Sequence, residues 1–291
     1  MKLSRFFNTA VSRGIAADPR RDKSAIKGYA DSAILYGDPN TEVRNVLVGI
    51  DIGEGELLLA DRLRERRSID LVVSHHPCGG AYAALYQVMD LQVELLKRCG
   101  LSKEAASEYL RERKGEVERK LLPQNHMRAV DAARLLDIPF CCLHTPADNC
   151  AASFIEAMLK KARPGTLAGI IRALEKVSEY AAAAAETAGP RILTGSPARP
   201  AGKIFVEMTG GASGPPGACE SLREGGIRTL VSMHISDDYL RKARAAGLNS
   251  VVAGHISSDT LGMNLLLDAV EKIEPLTFIT CSGFRRFCRN R

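Results

Sequence analysis

The chain reads NVLVGID at 45–51, GELLLADRLRERR at 55–67 and IDLVVS at 69–74. The outer two segments are short apolar runs rich in β-branched residues, the pattern of strands buried on both faces. The middle segment has helical spacing, with Leu58, Leu59 and Leu63 on one side and charges on the other. A strand, a helix and a strand in succession form a βαβ unit, which implies a parallel pair of strands.

The same alternation extends outward. Residues 82–137 read as helices throughout, and EYLRERKGEVERK (108–120) mixes both signs of charge, the pattern of a solvated helix rather than a polyanion-binding arm. IPFCCL (138–143) is the next strand and NCAASFIEAMLKKA (149–162) the next helix. Alanine-rich helix continues to about Ala188, and the Gly/Pro/Ser-rich segment 188–202 reads as a linker. Strands follow at KIFVEMT (203–209), RTLVSM (228–233), NSVVAG (249–254) and LTFITC (276–281), with helices between them. The expected fold class is α/β with at least two sheet-bearing lobes.

Composition narrows the function classes. The 291 residues are 45% hydrophobic and 25% charged, as in a soluble globular protein. No apolar run is long enough for a membrane-spanning helix, and the N-terminus lacks an apolar stretch of signal-peptide length. The net charge of +6 suits anionic ligands but is too small to argue for nucleic acid. Eight cysteines with no CxxC pair indicate neither a disulfide framework nor a zinc ribbon, so the expected location is cytoplasmic. Cys141 and Cys142, inside an apolar strand, read as buried reduced thiols. The tail, with Arg285, Arg286, Arg289 and Arg291, reads as a solvated end, with Phe284 and Phe287 available for packing.

Five of the six histidines directly follow a predicted strand: His75, His76, His144, His234 and His255. In open α/β sheets ligands bind beyond the carboxyl ends of the strands, so residues distant in sequence can meet there. Three of these histidines begin His-x-x-x-Asp: His144 with Asp148, His234 with Asp238, and His255 with Asp259. An aspartate at a helix start has a plain use as an N-cap, and taken one motif at a time capping is the simpler reading. The five strand-end histidines together shift the balance towards metal. Imidazole with carboxylate favours Zn, Fe, Mn or Ni over Ca or Mg. Side chains of adjacent strand residues diverge, so His75 and His76 could each serve one of two ions with an aspartate bridging. The glycine-rich turn GGASGPPG lacks the marks of a phosphate loop or a dinucleotide fingerprint and reads as a tight turn.

Five segments in order, YGDPNTEVRNVLVGID (36–51), VVSHHP (72–77), HTPADN (144–149), EMTGGAS (207–213) and AGHISSDTLG (253–262), carry a family resemblance. The chain resembles the Nif-three-like dinuclear-metal proteins, also known as type-two homologues of GTP cyclohydrolase I. The resemblance covers most of the chain, as one Nif-three-like unit over 1–291 with a helical insertion near 82–124. It implies two interlocked α/β lobes with mixed and parallel sheets, a dinuclear metal centre, and a toroidal homohexamer with sites facing its interior. By position it makes His75, His76, Asp148, His255 and Asp259 the metal ligands, with Asp259 bridging and His144 beside them. Asp259 stands where the family typically has Glu, and Ser232-Met233-His234 where a T-G-acid turn is usual.

The metal-ligating pattern and the resemblance together imply a divalent-metal-dependent hydrolase with two divalent transition ions (Zn, Fe, Mn or Ni) as cofactor, and the resemblance implies a nucleotide or phosphoester as its substrate. His144 or His234 is then the proton-carrying catalytic residue, since imidazole titrates near neutrality. The alternative is a non-catalytic metal-binding or regulatory assembly protein. In the plainest reading, the histidines are core or capping residues.

Overall fold

The computed structural model describes residues 1–290; Arg291 of the predicted tail lies outside the described residues. The first elements are α1 (Leu3–Ala17), β1 (Ser32–Tyr36), β2 (Asn45–Gly49), α2 (Glu54–Arg64), β3 (Leu71–Ser74) and α3 (Gly79–Ala83). They are followed by α4 (Leu91–Arg98), α5 (Lys103–Leu121), α6 (Arg128–Leu135), β4 (Phe140–Leu143) and α7 (Thr145–Ala162). Then come α8 (Leu167–Leu174), α9 (Ser178–Glu186), β5 (Arg191–Thr194), β6 (Lys203–Glu207), α10 (Cys219–Glu224) and β7 (Ile227–Ser232). The chain closes with α11 (Asp237–Ala245), β8 (Asn249–Val252), α12 (His255–Glu271) and β9 (Thr277–Thr280). Contacts divide it into two compact units, Met1–Val88 with Glu118–Cys150 and Asp259–Arg291, and Met89–Val117 with Ala151–Ser258.

The first unit holds a five-stranded sheet in the order β1-β4-β3-β2-β9. β2 pairs in parallel with β3 and β9, and β3 with β4, while β1 adds an antiparallel edge. The βαβ unit read from 45–74 is therefore present, with its parallel pair. Gly49 lies beside Ser74, and Ser74 beside Cys142, so the register makes β2, β3 and β4 end level. Leu47, Val72, Ile138 and Phe140 pack with Leu57, Ala60, Ala129 and Ala133 into a buried cluster. The inner face of α2 is thus Leu57 and Ala60, with Leu63 packed alongside. Leu58 and Leu59, expected on the core side, are exposed because at about 100° per residue they project away from that face of the helix.

The second unit repeats the plan with a four-stranded sheet, β5-β8-β7-β6, in which β6, β7 and β8 are parallel and β5 is an antiparallel edge. The segment 188–202, read as a linker, therefore contributes a strand. The charged helix α5 is not solvated all round: Ala106, Leu110, Val117 and Leu121 form a buried stripe. The basic tail is not a free end either. Phe284 is buried, and Arg286 reaches both Asp268 (2.6 Å) and Glu271 (2.7 Å) on α12. Among the described residues no helix is long and apolar enough to cross a membrane.

Candidate metal centre

The level ends of β3 and β4 release His75, His76 and His144 side by side. Backbone bonds from His75 N to Gly49 O and from His76 N to Ile50 O hold the first pair against β2. The two side chains diverge as a strand end requires: His75 is fully buried, whereas His76 keeps a quarter of its side chain exposed. Ring centroids lie 5.1 Å apart for His75 and His76 and 4.9 Å for His75 and His144.

Two helices bring the carboxylates. α7 starts directly after His144, whose carbonyl accepts the backbone N–H groups of Ala147 and Asp148. Asp148 therefore sits inside the first turn rather than at the N-cap, and its carboxylate is not used for capping. At the second His-x-x-x-Asp element the cap of α11 is Ser236, which accepts from Tyr239 N, not Asp238. Asp259 lies one turn into α12.

α7 is approached closely from both sides at glycines. A Cβ on Gly14 of α1 would lie 2.4 Å from Pro146 Cα, and one on Gly262 of α12 would lie 2.3 Å from Ala147 O. These backbone-to-backbone approaches set Asp148 and Asp259 on either side of His75. The Nε2 atom of His75 is 3.5 Å from Asp148 Oδ1 and 3.5 Å from Asp259 Oδ1. The second oxygen of Asp259 lies 3.4 Å from His76 Nε2. One carboxylate thus faces both adjacent histidines, one oxygen to each.

Two further aspartates, not singled out from the sequence, complete the arrangement. Asp31, fully buried, takes His144 Nδ1 at 2.7 Å and the Thr145 hydroxyl at 2.7 Å. Asp51, on the exposed side, takes His76 Nδ1 at 2.7 Å. Carboxylates behind imidazoles in this way fix ring orientation and tautomer at metal sites. The available signal was local: Asp51 ends NVLVGID, and Asp31 precedes an edge strand that was not anticipated.

The electrostatics follow from burial. Desolvation pushes His75 well below the ordinary imidazole range, against the pull of Asp259. Desolvation likewise lifts Asp148, with the charges of Asp259 and Asp31 adding to it and His144 opposing. For His144 burial acts downward, but Asp148, Asp31 and Asp259 outweigh it and the net shift is upward.

The residues fit a metal ion. Neither ring nitrogen of His75 nor Oδ1 of Asp148 has a hydrogen-bond partner among the described residues. Buried polar atoms left so are rare and call for an explanation such as an ion. His75, His76 and His144 form one group able to offer ligand atoms within 4.8 Å of one another, and His75, Asp148 and Asp259 form another. The acidic group of Asp268, Glu271 and Cys288 is different, because Arg286 already supplies its positive charge.

The structure therefore brings together five sequence-predicted residues: His75, His76, His144, Asp148 and Asp259. His255 opens α12 one turn ahead of Asp259. In the second unit its ring stands 4.7 Å from that of His234, edge to face. His234 follows β7, and its Nδ1 lies 3.1 Å from the Ser213 hydroxyl.

Parallel-sheet α/β architecture with histidines and aspartates gathered at the carboxyl edge defines an α/β protein with a candidate metal centre. More particularly, the chain is NIF3-like. It is similar to the NIF3 superfamily protein from Sphaerobacter thermophilus, with 29% identity, 94% of this chain and 97% of that one covered, and a TM-score of 0.82. The fold is shared with reduced HcgD from Methanocaldococcus jannaschii at 15% identity, covering 96% of this chain and 97% of that one, TM-score 0.56. It is also shared with TTHA1606 from Thermus thermophilus at 14% identity, with the same coverage and a TM-score of 0.51. No protein-family model and no curated protein matches the sequence.

Proposed function

We propose that the chain is a divalent-metal-dependent hydrolase with a dinuclear centre, acting on a nucleotide or phosphoester. The observation that carries the reading is Asp259, which faces His75 through one oxygen and His76 through the other. That is the arrangement a carboxylate bridging two ions would need. His75, His76, Asp148 and Asp259 would hold the ions, with His255 completing the set by family resemblance. Imidazole and carboxylate donors suit Zn, Fe, Mn or Ni. Bound there, the ions would lower the pKa of water and polarise a carbonyl or phosphoryl group.

The chain's own residues do the rest. His144, pinned at Nδ1 by Asp31, is held for proton transfer or substrate contact through Nε2. His234 is the second candidate for that role. The proposed assembly is a homohexamer, checked by light scattering on the eluted protein, and the proposed location is cytoplasmic, in keeping with eight free cysteines.

The test is metal analysis of gently purified protein, followed by assay on GTP and a phosphoester panel with and without added Mn or Zn. Bound transition metal, metal-dependent turnover, and loss of both in Asp259→Ala are the expected results. Metal-independent turnover, or protein that neither retains nor takes up metal, would overturn the reading. Bound metal with no turnover on any substrate would favour the non-catalytic metal-binding or regulatory alternative.

A further inference from the structure

The second unit sets a serine against a histidine at an unusually well-restrained turn. After β6 the chain turns through Gly210 and Gly211, with φ of +97° and +77°, a conformation that glycine adopts without strain. The helical insertion holds this turn from one side. Gln92 on α4, almost fully buried, donates from Nε2 to Gly210 O (3.1 Å) and to Ala212 O (2.6 Å). Its side chain lies so close that a Cβ on Gly210 would be 2.6 Å from Gln92 Cγ. Arg113 on α5 donates from Nε to Ser213 O (3.2 Å) while its Nη1 is held by Glu116 (2.6 Å). From within the sheet, the buried carboxyl of Glu207 accepts the Gly214 N–H.

Three restraints thus converge on residues 210–214, and the side chain they position is Ser213. Its hydroxyl meets His234 Nδ1 at 3.1 Å. A hydroxyl can donate to the bare ring nitrogen of a neutral imidazole or accept from its N–H, and donation by Ser213 is the case that leaves the ring proton on Nε2. We propose that Ser213, fixed by Gln92 and Arg113 of the helical insertion, is a positioning residue that holds His234 in its Nε2–H form. In that form the ring is a hydrogen-bond donor, the role an anionic phosphoryl or carboxylate oxygen of a substrate requires. The inference rests on the hydrolase reading for its purpose but not for its geometry. It also gives the insertion a role, that of setting the turn beside His234.

The test reads the tautomer directly, by solid-state 15N spectra of full-length, histidine-labelled, EDTA-treated protein at about pH 9, well above the ordinary imidazole range. His234→Gln identifies the signals. The wild type should show His234 Nδ1 as an acceptor nitrogen and Nε2 as the protonated one. Ser213→Ala should give a mixture of both forms, Ser213→Thr should restore the single form, and Gln92→Leu should give the mixture with Ser213 still present. A His234 protonated on Nδ1 in the wild type, or a tautomer ratio unmoved by Ser213→Ala, would overturn the proposal. If Gln92→Leu fails to fold, Arg113→Gln takes its place with the same expected mixture, and an unaltered ratio there would remove the insertion from the argument. Because the measurement uses metal-free protein, its outcome is separate from metal content and turnover, which test the hydrolase reading.

Discussion

Gly262→Ala should loosen the centre without touching any of its side chains. The added Cβ would sit 2.3 Å from Ala147 O, 2.7 Å from Ala147 C and 3.1 Å from Ala147 Cβ. Ordinary contacts between such atoms are near 3.5 Å, so α7 and α12 must separate by about 1 Å. The obstacle is backbone in the first turn of a helix, which cannot rotate aside. Asp148 is the next residue on α7, and Asp259 lies three residues before Gly262 on the same face of α12. His75 Nε2, now 3.5 Å from both carboxylates, would then keep one and lose the other.

Overpacking of this kind costs about 1–3 kcal/mol, and the gain in helix propensity from Gly to Ala returns about 1 kcal/mol. The expected net loss is about 0–2 kcal/mol, a fall in Tm of up to roughly 8 °C for a chain of this size. Metal sites tolerate displacements of only about 0.5 Å. The affinity for Zn or Mn should therefore fall about 10–100-fold, as when an outer support of a ligand is removed. Calorimetric titration of metal into the EDTA-treated protein, alongside thermal melts, measures both. Gly55→Ala is the control, since a Cβ there meets nothing within 4 Å and the residue lies in α2. The control should match or exceed wild-type stability and bind metal normally. If Gly262→Ala melts and binds as the control does, the close approach of α7 and α12 is not what holds the two aspartates.

Two further expectations concern single carboxylates. Asp31→Asn should remove the charge from the carboxylate whose Oδ2 His144 and Thr145 now share; metal affinity or turnover should drop about 10–100-fold, and an unchanged value for both would remove Asp31 from any supporting role. Glu207 gives a pH test: burial raises its pKa to about 7 from 4.5, so the folded state holds its proton more tightly and wild-type stability falls as pH rises through that window. Glu207→Gln removes the titration, and its stability relative to wild type should therefore improve by about 3 kcal/mol between pH 4.5 and pH 8. Urea denaturation at the two pH values checks this, and a difference that does not change with pH would refute it.

Whether a residue could be read from the sequence depends on how far its environment is written locally. β2, β3 and β4 are flanked on both faces, so they are nearly continuous apolar runs and announce themselves. β1 and β5 are antiparallel edges: SAILY is half-buried and RILT alternates between exposed and intermediate positions, beside turn residues that read as linker. The histidines were legible because they are rare and each ends such a run. Asp148 and Asp259 were legible as aspartates near helix starts but ambiguous between cap and ligand. That ambiguity is resolved by where the helices begin, since α7 and α12 start at Thr145 and His255 and so place Asp148 within the first turn and Asp259 one turn in, neither at the N-cap.

The determinant of ligand spacing had no local signal at all. Gly14 and Gly262 look like helix-weakening residues in their own segments. Their purpose lies in backbone more than a hundred residues away, at Pro146 and Ala147. A periodicity argument assigns such a position to a helix face but says nothing of how close the neighbouring helix comes. The chemistry of the centre is thus carried by residues visible one at a time, while its geometry depends on glycines that carry no side chain, and this is why a methyl group at position 262 is the sharpest probe of it.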